Sequence, residues 1–251
     1  MNIEKNYKTF DDYVSNFDLN EDAIKRKYDH SYRVVSNSKR ISEFLELNDN
    51  DTYLACLIGL LHDIGRFEQW TKYQTYSDYK SIDHALLGAK ILFEDGLIND
   101  FVLEQKDYEL VKKAIVNHNL YKINRDLNDK ELLFSKIIRD ADKLDILSQL
   151  SANSNFGLEE DNSEISEKVR NEFYKHNCIN NKDKLTKNDN IIMKMALVYD
   201  LNFDYSKKMV LKNLYLDKML GNLKNKEKFN IYIEEAKKYL GGKNGRIRKE
   251  I

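Results

Sequence analysis

The sequence predicts an all-α fold, and two observations support this prediction. Proline, the strongest helix breaker, is absent from all 251 residues, so long helices meet little local resistance. Runs of alternating β-branched residues bounded by turn dipeptides, which indicate strands, do not occur. Because 41% of the residues are hydrophobic, the chain has enough apolar surface to bury a substantial core without disulfide bonds.

Caps and apolar periodicity place the first helices. Asn20 is expected to cap a helix that carries His30, because acidic residues follow it and apolar residues then recur near helical spacing. The polar cluster at 48–51 supplies a turn and a new cap, and the nearly all-apolar run 53–61 predicts a buried helix. Gly65 is expected to stop that helix, since glycine readily adopts the left-handed conformation.

The rest of the chain is expected to form further helices separated by short connections. A polar, aromatic-rich connection over 67–81 should precede a helix over 82–95 that Gly96 closes. Further helices are predicted over 107–118, 129–150, 164–177, 187–202, 205–220 and 225–240, with a loop at 151–163 and a Gly-rich basic tail at 241–251. We expect one helical core over residues 1–150, with an N-terminal extension, and a C-terminal helical extension over 151–251 packed on it.

Charge and hydropathy limit the classes of partner. Residues 181–251 carry 17 Lys or Arg and 9 Asp or Glu, a net charge of +8, which leaves −9 for residues 1–180. The overall charge of −1 argues against a chain built to hold nucleic acid, and the basic segment is expected to form solvated helix faces. No apolar stretch approaches the roughly 18 residues that cross a bilayer, so a cytoplasmic protein without membrane contact is expected. Cys56 and Cys178 are expected to be neither disulfide partners nor metal ligands.

The sharpest local signal is Gly-Leu-Leu-His-Asp-Ile-Gly-Arg at residues 59–66. It places His62 and Asp63 side by side at the end of the buried apolar helix. A carboxylate in such surroundings is costly unless it is paired or bound to a metal, and an imidazole beside a carboxylate suits a divalent metal. From this dipeptide alone, a helix-terminal histidine with a capping aspartate is equally plausible.

Two further segments favour the metal site. His30 lies in the middle of an upstream helix, and Asp142 lies in the motif Asp-Ala-Asp-Lys-Leu-Asp at 140–145, between the apolar stretches 132–138 and 144–150. Three separate helices would therefore each offer ligands. Charged residues are rarely buried in a helix rich in Ile and Leu unless they have a partner there.

These residues resemble the signature of the HD superfamily of metal-dependent phosphohydrolases, which is a histidine, a His-Asp pair and a distant aspartate. The resemblance covers about residues 25–150 and implies a helical-bundle HD domain with additional C-terminal helices. Carried over residue by residue, it implies four metal ligands: His30, His62, Asp63 and Asp142. Asp142 is preferred to Asp140 and Asp145 because the last aspartate of the family follows a small apolar residue and precedes a basic one and a leucine.

His84 and His118 extend the resemblance to a second metal. Members with two or three metals add histidines between the His-Asp pair and the last aspartate, and Asp-His-Ala-Leu-Leu-Gly-Ala at 83–89 is similar to such a segment in cyclic dinucleotide phosphodiesterases. With His84 and His118 as ligands, Asp63 would bridge two metals. The alternative for each is a solvent-exposed or helix-capping histidine.

The resemblance also suggests residues that act on the substrate. Arg66 follows the His-Asp-Ile-Gly run and is expected to be catalytic together with Asp63, since a guanidinium binds phosphate oxygens and stabilises developing charge. A surface ion pair is the alternative for Arg66. Gln69 and Lys143 are expected to bind substrate, and Trp70 and Tyr73 could line a pocket for a base or sugar, although core packing accounts for aromatic residues equally well.

The implied activity is hydrolysis of a phosphoester by metal-activated water. Histidine and carboxylate ligands without thiolate favour Mn²⁺, Fe²⁺, Co²⁺, Ni²⁺ or Mg²⁺. A small phosphorylated substrate, above all a nucleotide, is expected, because the sequence shows no extended basic and aromatic groove for nucleic acid.

Within the hydrolase class a nuclease acting on single-stranded nucleic acid stays open, with the basic segment 181–251 as its only support. Two functions outside that class stay open as well. A minority of the superfamily resembles this pattern but uses a di-iron centre for oxygenation. A catalytically inactive HD regulatory module is the third option, although the complete set of four ligands argues against it. The C-terminal helices either complete the pocket or form the face of a homodimer, and their pattern does not decide between these roles.

Overall fold

The structure, a computed structural model, describes residues 3–152 and 157–242. All regular secondary structure in these two ranges is helical, which confirms the predicted all-α class. The α-helices are α1 (Ile3–Val14), α2 (Asp22–Phe44), α3 (Asp49–Leu61), α4 (Gly65–Tyr73), α5 (His84–Ala89), α6 (Tyr108–Asn117), α7 (Asp129–Ala152), α8 (Glu167–Tyr174), α9 (Lys187–Met195), α10 (Asp204–Lys212), α11 (Tyr215–Gly221) and α12 (Lys226–Gly241). None of the helices within these ranges is long and apolar enough to span a membrane.

The chain divides into two compact units, Met1–Asp142 and Lys143–Ile251. The boundary falls inside α7, so it lies earlier in this helix than the end of the core expected from the sequence at residue 150. The packing of the C-terminal helices on the core remains a prediction.

The core of the first unit is built around α3. Asn48 caps this helix by accepting a hydrogen bond from the Asp51 backbone nitrogen at 2.9 Å, as the polar cluster predicts. Every residue from Tyr53 to Leu61 is buried, because the run is apolar on all sides. At Gly59 an added Cβ atom would lie only 2.9 Å from the Ser38 side-chain oxygen on α2. The missing side chain therefore lets α2 and α3 pack closely side by side.

The beginning of α2 and the first helix differ from the sequence prediction. Asn20 does not cap α2; Glu21 occupies the N-cap position, and Asn20 instead bonds to the Asp18 side chain. Helix α1 was not predicted, because only Asn6, Phe10 and Val14 of its residues are buried and its other residues are mostly polar. Phe10 packs edge-on against Phe67 in α4, with ring centroids 5.9 Å apart. Tertiary packing therefore stabilises a helix whose own sequence signal is weak.

The prediction that Gly65 stops a helix in the left-handed conformation was wrong. Positive φ angles occur at Gly96 and Gly157 but not at Gly65, which begins α4. An added Cβ atom at Gly65 would lie 2.3 Å from the His84 carbonyl oxygen and 2.7 Å from the Gly88 backbone nitrogen. Glycine is needed here because the backbones of α4 and α5 touch. The first part of the expected connection over 67–81 therefore belongs to helix α4, which ends at Tyr73.

The helix predicted over 82–95 is present in two parts. Helix α5 passes directly into a π-helical turn over Lys90–Glu94. Gly96 then adopts φ 87° and ends the segment as predicted. Asp83 caps α5 by accepting hydrogen bonds from two backbone nitrogens, so that His84 is held as the first residue of the helix.

The second unit contains α8 to α12, and two of its predicted helices are interrupted. The segment predicted as helix over 187–202 is α-helical to Met195 and then 3-10 helical over Ala196–Asp200. Leu214 has φ 56° and separates α10 from α11, where one helix was expected. Of the predicted loop and tail, residues 153–156 and 243–251 lie outside the described residues.

The close approach of α4 and α5 generates a stability prediction. The Gly65→Ala variant should lose about 1–3 kcal/mol of folding free energy, since the new methyl group overlaps backbone atoms that cannot move away locally. Thermal denaturation followed by circular dichroism would measure this. Gly221→Ala is the matched control, because no atom lies within 4 Å of its added Cβ, and it should not be destabilised. Equal melting temperatures for Gly65→Ala and the wild type would contradict the assigned role.

Candidate metal centre

Three helical elements of the first unit bring together four of the predicted ligands. His30 lies on α2, His62 and Asp63 follow α3, and Asp142 lies on α7. Asp63 Oδ2 is 3.5 Å from His30 Nε2 and 3.6 Å from His62 Nε2. Asp142 Oδ1 is 3.2 Å from His30 Nε2 and 3.9 Å from His62 Nε2. We call the side chains of His30, His62 and Asp142, together with Oδ2 of Asp63, the first half-site.

The other oxygen of Asp63 faces the two remaining predicted ligands. Oδ1 lies 3.2 Å from His84 Nε2 and 3.7 Å from His118 Nε2, and the two Nε2 atoms are 3.0 Å apart. His118 directly follows α6. Arg139 on α7 holds this segment by donating hydrogen bonds to the backbone carbonyl oxygens of Asn117, His118 and Leu120 at 2.6 to 3.2 Å. We call His84, His118 and Oδ1 of Asp63 the second half-site.

Backbone carbonyls orient one histidine in each half-site. His62 Nδ1 lies 2.8 Å from the Gly59 carbonyl oxygen, and His118 Nδ1 lies 2.6 Å from the Ile115 carbonyl oxygen. Because a carbonyl can only accept, each Nδ1 carries the proton and donates it. Each Nε2 is then left with a lone pair that points towards Asp63. A ring protonated on Nδ1 in this way is the tautomer that binds a metal through Nε2.

The donor chemistry fits a divalent cation. His62 is fully buried, and its Nε2 has no hydrogen-bond partner. Burial lowers the pKa of His62 to about 3 and also lowers the pKa of His118, so both rings stay neutral near pH 7. A buried, unprotonated nitrogen aimed at a carboxylate is costly unless a cation lies between the two.

The carboxylates of the site stay ionised. Burial alone would raise the pKa of Asp63, but contacts led by the Lys27 ammonium group outweigh it and hold the pKa well below its usual range. Burial likewise opposes ionisation of Asp142, and the neighbouring His30 lowers the pKa of that carboxyl. Neutral imidazoles and ionised carboxylates are the forms that coordinate metals.

The described residues contain three overlapping groups that could hold a metal. The ligand atoms of His30, His62 and Asp63 lie within 4.8 Å of one another, and so do those of Asp63, His84 and His118. A third group of Asp78, Asp83 and His84 meets the same distance. No cysteine belongs to these groups, so the donors are nitrogen and oxygen as the sequence predicts.

Asp78 is a residue of the site that the sequence analysis missed. Its Oδ2 lies 2.7 Å from His84 Nδ1, and its Oδ1 accepts hydrogen bonds from Arg66 and Gln69 at 2.9 Å each. A carboxylate behind a ligating histidine fixes the ring and makes its other nitrogen a better donor. Asp78 lies in a short 3-10 helix between α4 and α5, and its local sequence does not distinguish it from Asp83.

The structure places Arg66 differently from the prediction. Its guanidinium donates from one nitrogen to the Gln69 side chain, the Tyr76 carbonyl and Asp78 at 2.7 to 2.9 Å, and its Nε lies 3.5 Å from Asp63 Oδ1. The alternative of a surface ion pair does not describe it either, since the side chain is only 14% exposed. Arg66 is a partly buried partner of the second half-site.

Gln69 and Lys143, which were expected to bind substrate, are both buried and have partners within the protein. Gln69 is fully buried, and its amide nitrogen donates to Asp78, to Ser81 and to the Ile82 carbonyl, so it supports Asp78 and presents no surface to a substrate. Lys143 belongs to the second unit, where its buried ammonium pairs with Asp200 at 2.8 Å. A sequence pattern cannot reveal such partners, because they come from distant segments.

Lys27 is the second residue that the sequence analysis missed. It lies on α2 one turn before His30, and its Nζ is 2.6 Å from Asp63 Oδ2. Helical periodicity could have placed Lys27 and His30 on one face, but one lysine among many on polar helix faces carries no distinguishing signal.

Comparison with known proteins bears on this part of the chain. Residues 28–147 match the family model described as HD domain, which confirms the predicted resemblance. The matched range includes both half-sites, and HD domains bind divalent metals. Comparisons with curated proteins and with solved structures gave no match.

The Asp78 carboxylate generates a prediction about the second half-site. The Asp78→Asn variant should bind a second Mn²⁺ roughly 10- to 100-fold more weakly than the wild type, since the carboxylate that orients His84 is lost, while the first Mn²⁺ binds as before. Isothermal titration calorimetry would separate the two events. Asp95→Asn, which removes an exposed partner of Lys90, is the control. An unchanged second affinity in Asp78→Asn would refute this role.

Proposed function

We propose that this protein is a metal-dependent phosphohydrolase that holds two divalent cations and cleaves a phosphoester of a small substrate. The observation that carries the proposal is the position of Asp63, whose two carboxylate oxygens each face a pair of imidazole nitrogens at 3.2 to 3.7 Å. A single carboxylate between two histidine pairs is suited to bridge two cations. The family of residues 28–147 supports the same class of activity.

The residues of the chain have distinct tasks in this proposal. His30, His62 and Asp142 would hold one cation, His84 and His118 would hold the other, and Asp63 would contribute one oxygen to each. When bound, such cations supply Lewis acidity that activates water and neutralises phosphate charge. The backbone carbonyls behind His62 and His118, and the carboxylate behind His84, keep the donors fixed so that binding needs little reorganisation.

The substrate enters from the side of the site that is exposed. The histidines are almost completely buried, whereas the side chains of Asp142, Lys27 and Asp78 are 16%, 22% and 31% exposed. A recessed centre of this kind suits the phosphate group of a small molecule better than a long polymer. A nucleotide fits these limits, because its phosphate can reach the donors while its base and sugar stay nearer the surface.

The metal content of purified variants tests the proposal. Protein prepared without chelator should contain two transition-metal ions per chain and hydrolyse members of a panel of nucleotides and simple phosphodiesters. Asp63→Ala should lose both ions and all hydrolysis, because both half-sites lose an oxygen. His84→Ala should retain one ion and lose hydrolysis.

The control for these variants is His176→Asn. His176 lies in the second unit with φ 58°, a conformation that asparagine tolerates well, and it binds Glu235. This variant should keep both ions and full hydrolysis. A wild-type protein that binds no transition metal and stays inert with added Mn²⁺ would refute the proposal in favour of a regulatory module.

The complete second half-site also fits a di-iron oxygenase, the alternative that the sequence left open. Both functions need His84 and His118, so ligand geometry alone does not separate them. Iron-loaded protein that consumes oxygen, while protein loaded with Mn²⁺ leaves every phosphoester intact, would establish oxygenation in place of hydrolysis.

A further inference from the structure

Two basic side chains contact Asp63, one on each carboxylate oxygen. Lys27 Nζ lies 2.6 Å from Oδ2, the oxygen of the first half-site, and Arg66 Nε lies 3.5 Å from Oδ1, the oxygen of the second. Both cationic groups also lie near the ring of Tyr76, at 5.5 Å and 5.6 Å from its centroid. Their freedom to move, however, is different.

Arg66 is held in place from several directions. Its guanidinium donates to Gln69, the Tyr76 carbonyl and Asp78. Turning it towards a substrate would leave these acceptors, which include the buried side chain of Gln69 and the partly buried side chain of Asp78, without their donor. Arg66 is therefore poorly placed to meet a phosphate, although its charge still stabilises Asp63 and Asp78.

Lys27 has the opposite properties. Its ammonium hydrogen-bonds to Asp63 Oδ2, and its side chain is 22% exposed while that of Asp63 is 3% exposed. A lysine side chain has four flexible methylene groups and a compact charge, so it can rotate about its stem without disturbing α2. Lys27 thus combines a position beside the ligands with access to solvent.

The same oxygen of Asp63 serves Lys27 and the first half-site. A divalent cation held by His30, His62 and Oδ2 would stand a few ångströms from the ammonium group, and the two positive charges would repel each other strongly in these partly buried surroundings. The ammonium group must then leave Oδ2 and find another anion. The phosphate of a substrate brought to the centre is such an anion.

We propose that Lys27 is the substrate-binding cation of this site: it releases Asp63 Oδ2 when a divalent cation binds there and contacts a phosphate oxygen of the substrate. This inference rests on the proposed function, since it assumes a cation at the first half-site and a phosphorylated ligand. It assigns to Lys27, one helical turn before His30, the phosphate contact that the sequence suggested for Arg66.

Lys27→Met and Lys27→Arg test the inference with two binding measurements. Lys27→Met should bind the first Mn²⁺ more tightly than the wild type, because the competing ammonium is gone. The Mn²⁺-loaded variant should bind inorganic phosphate roughly tenfold more weakly, or worse, since a hydrogen bond between charged groups is lost. Lys27→Arg should restore phosphate binding to a large extent, because it keeps the positive charge. In kinetic assays Lys27→Met should raise KM more than it lowers kcat.

Lys25→Met is the matched control. Lys25 lies on the same helix and pairs with Asp29 at 2.9 Å on the exposed surface, so its replacement should change neither affinity. Circular dichroism of all variants would show that α2 is intact.

The outcomes separate this inference from the proposed function. Wild-type protein that binds Mn²⁺ and phosphate, with Lys27→Met binding phosphate equally well, would overturn the inference and leave the function standing. Weaker Mn²⁺ binding in Lys27→Met would overturn it too, since Lys27 would then support the ligands. Wild-type protein that binds no Mn²⁺ would overturn both.

Discussion

The carboxylate of Asp63 is almost completely buried among four imidazole rings, and the surrounding structure is arranged to keep it ionised there. An unpaired carboxylate at such a depth would be strongly destabilising. Lys27 and Arg66 each bring a positive charge to one of its oxygens. The backbone carbonyls behind His62 and His118 orient two of the rings around this carboxylate, so the fold itself directs the donor atoms of the centre.

The helices deliver these side chains through a few close backbone contacts. Gly59 lets α2 pack against α3, which brings His30 beside His62. Gly65 lets α4 begin where its backbone touches α5, which brings His84 to the other side of Asp63. The two half-sites therefore depend on two glycines that have no side chain and contribute no metal ligand. This dependence links the stability of the first unit to the geometry of the centre.

The sequence predicted most of the centre but not its surroundings. The ligand motifs are short and chemically unusual for a buried helix, so His62 and Asp63 are visible without a structure. Asp78 and Lys27 are not, because their roles come from partners that lie 6 and 36 residues away in sequence. The fold class followed from composition and periodicity, whereas the role of Gly65 did not, because a tertiary contact and not local turn chemistry requires a glycine there.

Crystals soaked with Mn²⁺ and measured near the manganese absorption edge would test the central claim most directly. If Asp63 bridges two cations, the anomalous difference map will show two peaks about 3.5–4 Å apart, one beside His30 and His62 and one beside His84 and His118, with one oxygen of Asp63 at each. A single peak that Asp63 meets with both oxygens, or two peaks of which Asp63 contacts only one, would contradict it.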